Sequence, residues 1–174
     1  LPRDFGPSEL PKLEALLAHW PAHLPCAVEV RHPVFFHKGE EEKAFNQLLI
    51  TYGANRVMLD VRPVFSTPAN GHAGLAHAQQ EKPKVPLHVL STAELPIIRF
   101  IGHIDKTINT RYFAPWIECL KLWISQGKTP FLFVHTADNR ESPEMARHLY
   151  HALQRRISLP ELEPFADEKQ SQLF

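Results

Sequence analysis

Cysteine is nearly absent: Cys26 and Cys119 are the only two in 174 residues, too few and too far apart for a disulfide scaffold or a thiolate zinc site. A reducing cytoplasm is the simplest reading. Glycine is sparse as well, at seven residues. No G-x-G-x-x-G or G-x-x-x-x-G-K-[ST] run occurs, so no nucleotide-cofactor motif is legible and the cofactor stays open. No stretch approaches the roughly 18 apolar residues of a membrane span, and the opening LPRDFGPSEL lacks the charged-then-apolar layout of a signal peptide. Excess charge is missing too. Nineteen Lys and Arg balance nineteen Asp and Glu, which removes any bulk field toward nucleic acid or anionic membrane and leaves only local patches.

What is present is 44% hydrophobic residues and 16 prolines, enough apolar side chain for one sizeable core, frequently punctuated. Residues 8–20 put Leu10, Leu13, Leu16, Leu17 and Trp20 on one helical face, with Ser8 as N-cap. A strand is expected over 26–31. A helix over 40–52 follows, with Gly53 as its stop, and then a strand over 56–62. A proline-bearing stretch from 63 to 96 intervenes, with a short helix over 74–81, and its length suits a lid. A strand over 97–102, a helix over 114–126 closed by Gly127, a strand over 131–135 and a helix over 143–157 with Ser142 as N-cap complete the series.

Strands alternating with helices imply βα units and a parallel sheet. Without a glycine-rich loop a doubly wound sheet is disfavoured, leaving an α/β fold of the (β/α) TIM-barrel type. A full barrel takes about 250 residues, so four strands with their helices amount to about the C-terminal half. Residues 1–160 form the barrel domain and 161–174 a flexible tail. A half barrel leaves two sheet edges open, so either a dimer or a missing N-terminal half is expected.

Strand parity points to the chemistry, because alternate side chains take opposite faces. Glu29 and Arg31 oppose Val28 and Val30; Asp60 and Arg62 oppose Val57, Leu59 and Val61. Arg99 and His103 oppose Ile98 and Phe100, and His135 follows Phe131 and Phe133. If the polar sets all point into the barrel, they meet near the strand C-termini, where such folds build their sites. Arg31, Arg62 and Arg99 would hold a small anionic or hydroxylated ligand through their planar forks, while Glu29, Asp60 and His135 exchange protons. Mutual neutralisation of Glu29 with Arg31 and Asp60 with Arg62 is the plain structural alternative. A divalent metal on Glu29, Asp60, His103 and His135 is not favoured, since each carboxylate has an arginine two residues on. Asn109, Asp138 and Asn139 fall in loops that border the ligand, although turn and capping chemistry suits them equally. Trp116 and Trp123 read as core.

The motifs EVRHPVFF (29–36), RVMLDVRP (56–63), EKPKVPLH (81–88), IRFIGH (98–103) and FLFVHTADN (131–139), in this order, resemble the YecE-like family, also called domain of unknown function 72. The resemblance runs over nearly the whole chain. It implies a (β/α) barrel longer than this chain, with a pocket on its C-terminal face, and it brings no reaction. Glu29, Arg31, Asp60, Arg62, Arg99 and His135 fall on its motif positions.

The last residues, Gln170-Ser171-Gln172-Leu173-Phe174, resemble the glutamine and terminal Leu-Phe peptide by which bacterial replication and repair proteins dock on the DNA sliding clamp. Gln170 would set register and Leu173 and Phe174 would enter the pocket. Three functions stand: an enzyme or binder for a small ligand, a clamp-tethered nucleic-acid-processing protein, and a non-catalytic adaptor. Zero net charge speaks against the second.

Overall fold

The computed structural model describes residues 1–165. Five helices, α1 (Leu10–Ala18), α2 (Glu40–Thr51), α3 (Ala73–Glu81), α4 (Lys106–Ser125) and α5 (Ser142–Gln154), alternate with strands β1 (Ala27–Val28), β2 (Asn55–Asp60), β3 (Ile97–Ile101) and β4 (Phe131–His135). The strands pair in chain order, each parallel to the next, and the sheet is open. This is the expected half of a barrel-type α/β fold. Gly53 and Gly127 end α2 and α4 with φ of +64° and +81°, the left-handed backbone that only glycine enters without strain.

Several elements differ from their expected bounds. β1 is cut to two residues, Ala27–Val28, and beyond it His32 opens a 3-10 turn at Pro33–Phe36. α4 begins at Lys106 instead of 114, capped by Asp105, whose carboxylate accepts from the Thr107 amide (2.8 Å). Pro115 lies inside it. The buried line Asn109, Phe113, Trp116, Leu120 and Trp123 runs through the proline, so packing outweighs the ~3 kcal/mol an interior proline costs. Ser142 does not cap its helix; its hydroxyl accepts from the Thr136 amide (2.9 Å) and ties α5 to the end of β4. Ser8 likewise makes no cap, because a 3-10 turn at Pro7–Glu9 precedes α1.

The core has three parts. On the helix side Phe35, Phe45 and Leu49 pack with Leu13, Leu17 and Val28. Met58, Ile98 and Phe100 pack with Trp116, Trp123 and Leu149, which places both tryptophans in the core. Leu59 and Ile101 alternate with Met58 and Phe100 and therefore face the other way, where Val61, Val64 and Leu75 and Ala78 of α3 join them. α3 thus covers the inner face. The outer layer between α2 and α4 is filled by extended chain after α3, where Pro83 and Pro86 forbid a helix. There Val85 enters the first cluster and Leu87 borders the second.

Candidate functional site

Glu29, Arg99 and His135 come together on the inner face. In the register Leu59 pairs with Arg99 and Ile101 with His135, so these side chains share the side carrying Leu59. Arg99 Nη1 donates to Glu29 Oε2 (2.5 Å), and Arg31 Nε donates to Glu29 Oε1 (3.1 Å). One carboxylate therefore holds two guanidinium groups, bridging from beyond β1 across β2 to β3. The Glu29 side chain is 14% exposed and those of Arg99 and Arg31 are 26% and 42% exposed, so both arginines keep N–H groups open to solvent. Burial alone pushes the Glu29 carboxyl up, but the hydrogen bond and charge of Arg99, and then of Arg31, outweigh it and hold it below the usual range.

His135 lies beside this pair. Burial keeps its imidazole below the ordinary value; the Asn139 contact opposes this, and the charges of Arg99 and Lys82 add to it. The ring is therefore neutral at pH 7. Its Nδ1 meets Asn139 Oδ1 at 3.4 Å, a long contact in which Nδ1 donates when the ring proton sits on that nitrogen. Asn139 reaches there from a left-handed backbone, φ +63°. Asp138 does turn work, accepting from the Arg140 amide (3.2 Å) and Thr136 Oγ1 (3.3 Å).

Asp60 and Arg62 do not join this group, and the parity expectation is corrected at this strand. Asp60 pairs in register with Phe100 and shares the helix-side face with Met58. It is fully buried, accepting from Trp116 Nε1 (2.8 Å), from Arg62 Nε (2.9 Å) and Nη2 (2.7 Å), and from the Arg62 amide (3.1 Å). Arg62 also lies over the Tyr112 ring at 5.5 Å. The strand segment carries apolar residues at both parities, Met58 with Asp60 and Leu59 with Val61, so its faces were not readable from alternation.

His103 and Asn109 are also turned to structure. Asn109 lies within α4, not in a loop, and is buried; it accepts from the His103 amide (2.7 Å) and donates to the His103 carbonyl (2.8 Å). His103 Nδ1 accepts from the Asp105 amide (2.9 Å), which leaves Nε2 to donate to Thr67 Oγ1 (2.9 Å). Burial lowers its pKa. The four residues weighed as metal ligands are thus dispersed, and among the described residues no three His, Cys, Asp or Glu side chains form a metal cluster. Gln170, Leu173 and Phe174 lie outside the described residues.

Two features were not legible in the sequence. Lys82, at the end of α3, is close enough for its charge to act on His135. Arg56, 2% exposed, donates to Glu42 Oε1 (2.9 Å), Asn46 Oδ1 (2.6 Å) and the Phe35 carbonyl (2.8 Å), and His88 Nδ1 meets the same Glu42 oxygen at 2.5 Å. The run Glu40-Glu41-Glu42 reads as a solvated first helical turn, which hides the burial of its third member; spacing from Arg56 carries no signal because the partner is on another element.

No helix among the described residues is long and apolar enough to cross a membrane. The chain is 46% identical over 175 residues to the UPF0759 protein YecE of Escherichia coli strain K12 and 45% identical to that of strain O157:H7. In both cases the match covers 100% of this chain and 63% of the relative, so the chain spans under two thirds of the length of these curated proteins. No solved structure matches. The family model described as Protein of unknown function DUF72 matches residues 1–170, and with these relatives it shows that the chain belongs to the DUF72 family.

Proposed function

We propose that the inner face binds a small anionic or hydroxylated ligand, as an enzyme or a binder, with Arg99 and Arg31 as the anion-holding groups and His135 Nε2 as the group that accepts or returns a proton. The carrying observation is the Glu29 carboxylate held between two arginines that keep open N–H groups beside a neutral imidazole. Arginine forks match a carboxylate or phosphate in two places at once. Glu29 fixes them and leaves less than full neutralisation, one acid against two guanidinium groups. Asn139 orients the histidine, and Lys82 adds a third cation from the segment covering the face. Asp60, Arg62, His103 and Asn109 serve this reading as supports behind the site, and Asp138 as the turn that presents Asn139.

The test is calorimetric titration with inorganic phosphate, then with sugar phosphates and dicarboxylates, of the parent chain and of Arg99→Lys. Saturable binding weakened about tenfold or more in Arg99→Lys is expected, because lysine loses the planar fork. Binding that Arg99→Lys leaves unchanged removes the proposal.

A second reading rests on the terminal residues Gln170, Leu173 and Phe174: docking on a bacterial DNA sliding clamp, which would bring the barrel to nucleic acid. A labelled peptide of residues 165–174 is expected to bind purified clamp at micromolar affinity and to lose it with Leu173→Ala plus Phe174→Ala. Equal binding by the two peptides ends this reading.

A further inference from the structure

A cavity of about 990 Å3 opens on the helix side of β4, between α4, α5 and the segment 159–165. It lies on the opposite face of the sheet from Glu29 and His135. Its wall is apolar, with Leu120, Leu132, Val134, Leu149, Leu153 and Leu162 contributing. Water is a poor filler for such a space, since each molecule needs two to four polar partners.

Lys128 and Thr129 also border it, but Lys128 Nζ is already held by Ser91 Oγ (2.9 Å) and the Ala93 carbonyl (3.4 Å), and the polar group that stands out is on α5. Arg147 of α5 donates through Nη2 to the Glu163 carbonyl (2.8 Å) and lies over the Phe165 ring at 3.9 Å. Its Nε is buried and has no hydrogen-bond partner among the described residues. A buried N–H left unpaired costs free energy, and an incoming acceptor recovers it. No ion pair to Arg147 is present among the described residues. The two acids on the rim, Glu161 and Glu163, are exposed, where solvent screens them.

We infer that this cavity binds an unbranched long-chain carboxylate, with its apolar chain along the leucine wall and its head group on Arg147 Nε. The occupant follows from the combination of a large apolar volume, within the range of small-molecule sites, and one orphaned cationic donor. A purely apolar guest leaves Nε unpaired, and a small anion leaves the wall wet.

The experiment is displacement of the fluorescent probe 11-(dansylamino)undecanoic acid from the full 174-residue chain by octanoate, decanoate and dodecanoate, with dodecanol as the uncharged comparison. Affinity is expected to rise about fourfold per added methylene and dodecanoate to bind more tightly than dodecanol. Arg147→Met keeps the aliphatic packing; it should weaken dodecanoate about tenfold or more and leave dodecanol unchanged, so dodecanol binding also reports that the variant is folded. Ala146→Trp, which fills the cavity, should remove both. Affinity independent of chain length, equal binding of dodecanol and dodecanoate, or an unaltered Arg147→Met each overturn the inference. So does a tenfold gain in dodecanoate affinity on deleting residues 166–174, which assigns the cavity to the chain's own end.

Discussion

Replacing Arg56 by methionine is expected to destabilise the fold by about 3–5 kcal/mol, the cost of leaving a buried charge without its partner. The side chains of Arg56 and Glu42 are 1% and 6% exposed, so neither rehydrates when the other is lost. Arg56 also lies 5.3 Å from the Phe36 centroid and 5.4 Å from that of Phe45, and methionine preserves part of that packing. Urea unfolding of Arg56→Met, Glu42→Leu and the double variant measures the coupling. The double variant should recover most of the loss, since an apolar pair leaves no stranded charge; two additive losses would contradict the network.

The same group predicts a pH signature. Burial pushes the Glu42 carboxyl up, but the His88 contact, the Lys38 amide and Arg56 together hold it below its ordinary 4.5. A carboxyl with a lower pKa folded than unfolded contributes stability that is fully present above the unfolded value and lost as pH falls through the folded one. In Arg56→Met the share of that advantage due to Arg56 is gone while the His88 and Lys38 contacts remain, and protonating Glu42 relieves part of the variant's loss. The urea midpoints of parent and variant should therefore converge as pH falls from 7 toward 4, and a constant gap would show that Glu42 is not the stranded charge.

Asp60→Ala is expected to cost about 2–4 kcal/mol, as it strands the buried Trp116 indole N–H and removes the carboxylate that Arg62 grips in two places. The estimate sits below that for Arg56 because the Arg62 side chain is 37% exposed and can turn to water. Trp116→Phe should cost less and be less than additive with Asp60→Ala, as they share one hydrogen bond. Asp60→Asn that loses ligand binding while retaining full stability would return Asp60 to the chemistry.

The contrast between Asp60 and Glu29 shows how far alternation reaches. Glu29 lies between Val28 and Val30, and Arg99 between Ile98 and Phe100; sending each charge to the face opposite its apolar neighbours puts both on the inner face, where they meet. His135 joins them by the same rule. Asp60 lies between Leu59 and Val61 in the same way, so the same rule puts it inside as well; the register against β3 and the indole of Trp116 place it on the helix side instead. The loop residues divide similarly. Asn139 reaches His135 from a left-handed backbone, whereas Asn109 lies inside α4, which begins at Lys106 and not at 114.

From the chain alone came the order of strands and helices, the stops at Gly53 and Gly127, the parallel half-barrel class and the placing of Glu29, Arg99 and His135 on one face. These rest on local periodicity and turn chemistry, which act within a few residues of each position. The tertiary structure decided the rest: the face of Asp60, the burial of Arg56 with Glu42, the seat of α3 over the inner face and the cavity beside Arg147. Each depends on a partner many residues away, and the free energy of a buried charge or an orphaned N–H is set by that partner and not by its neighbours in sequence.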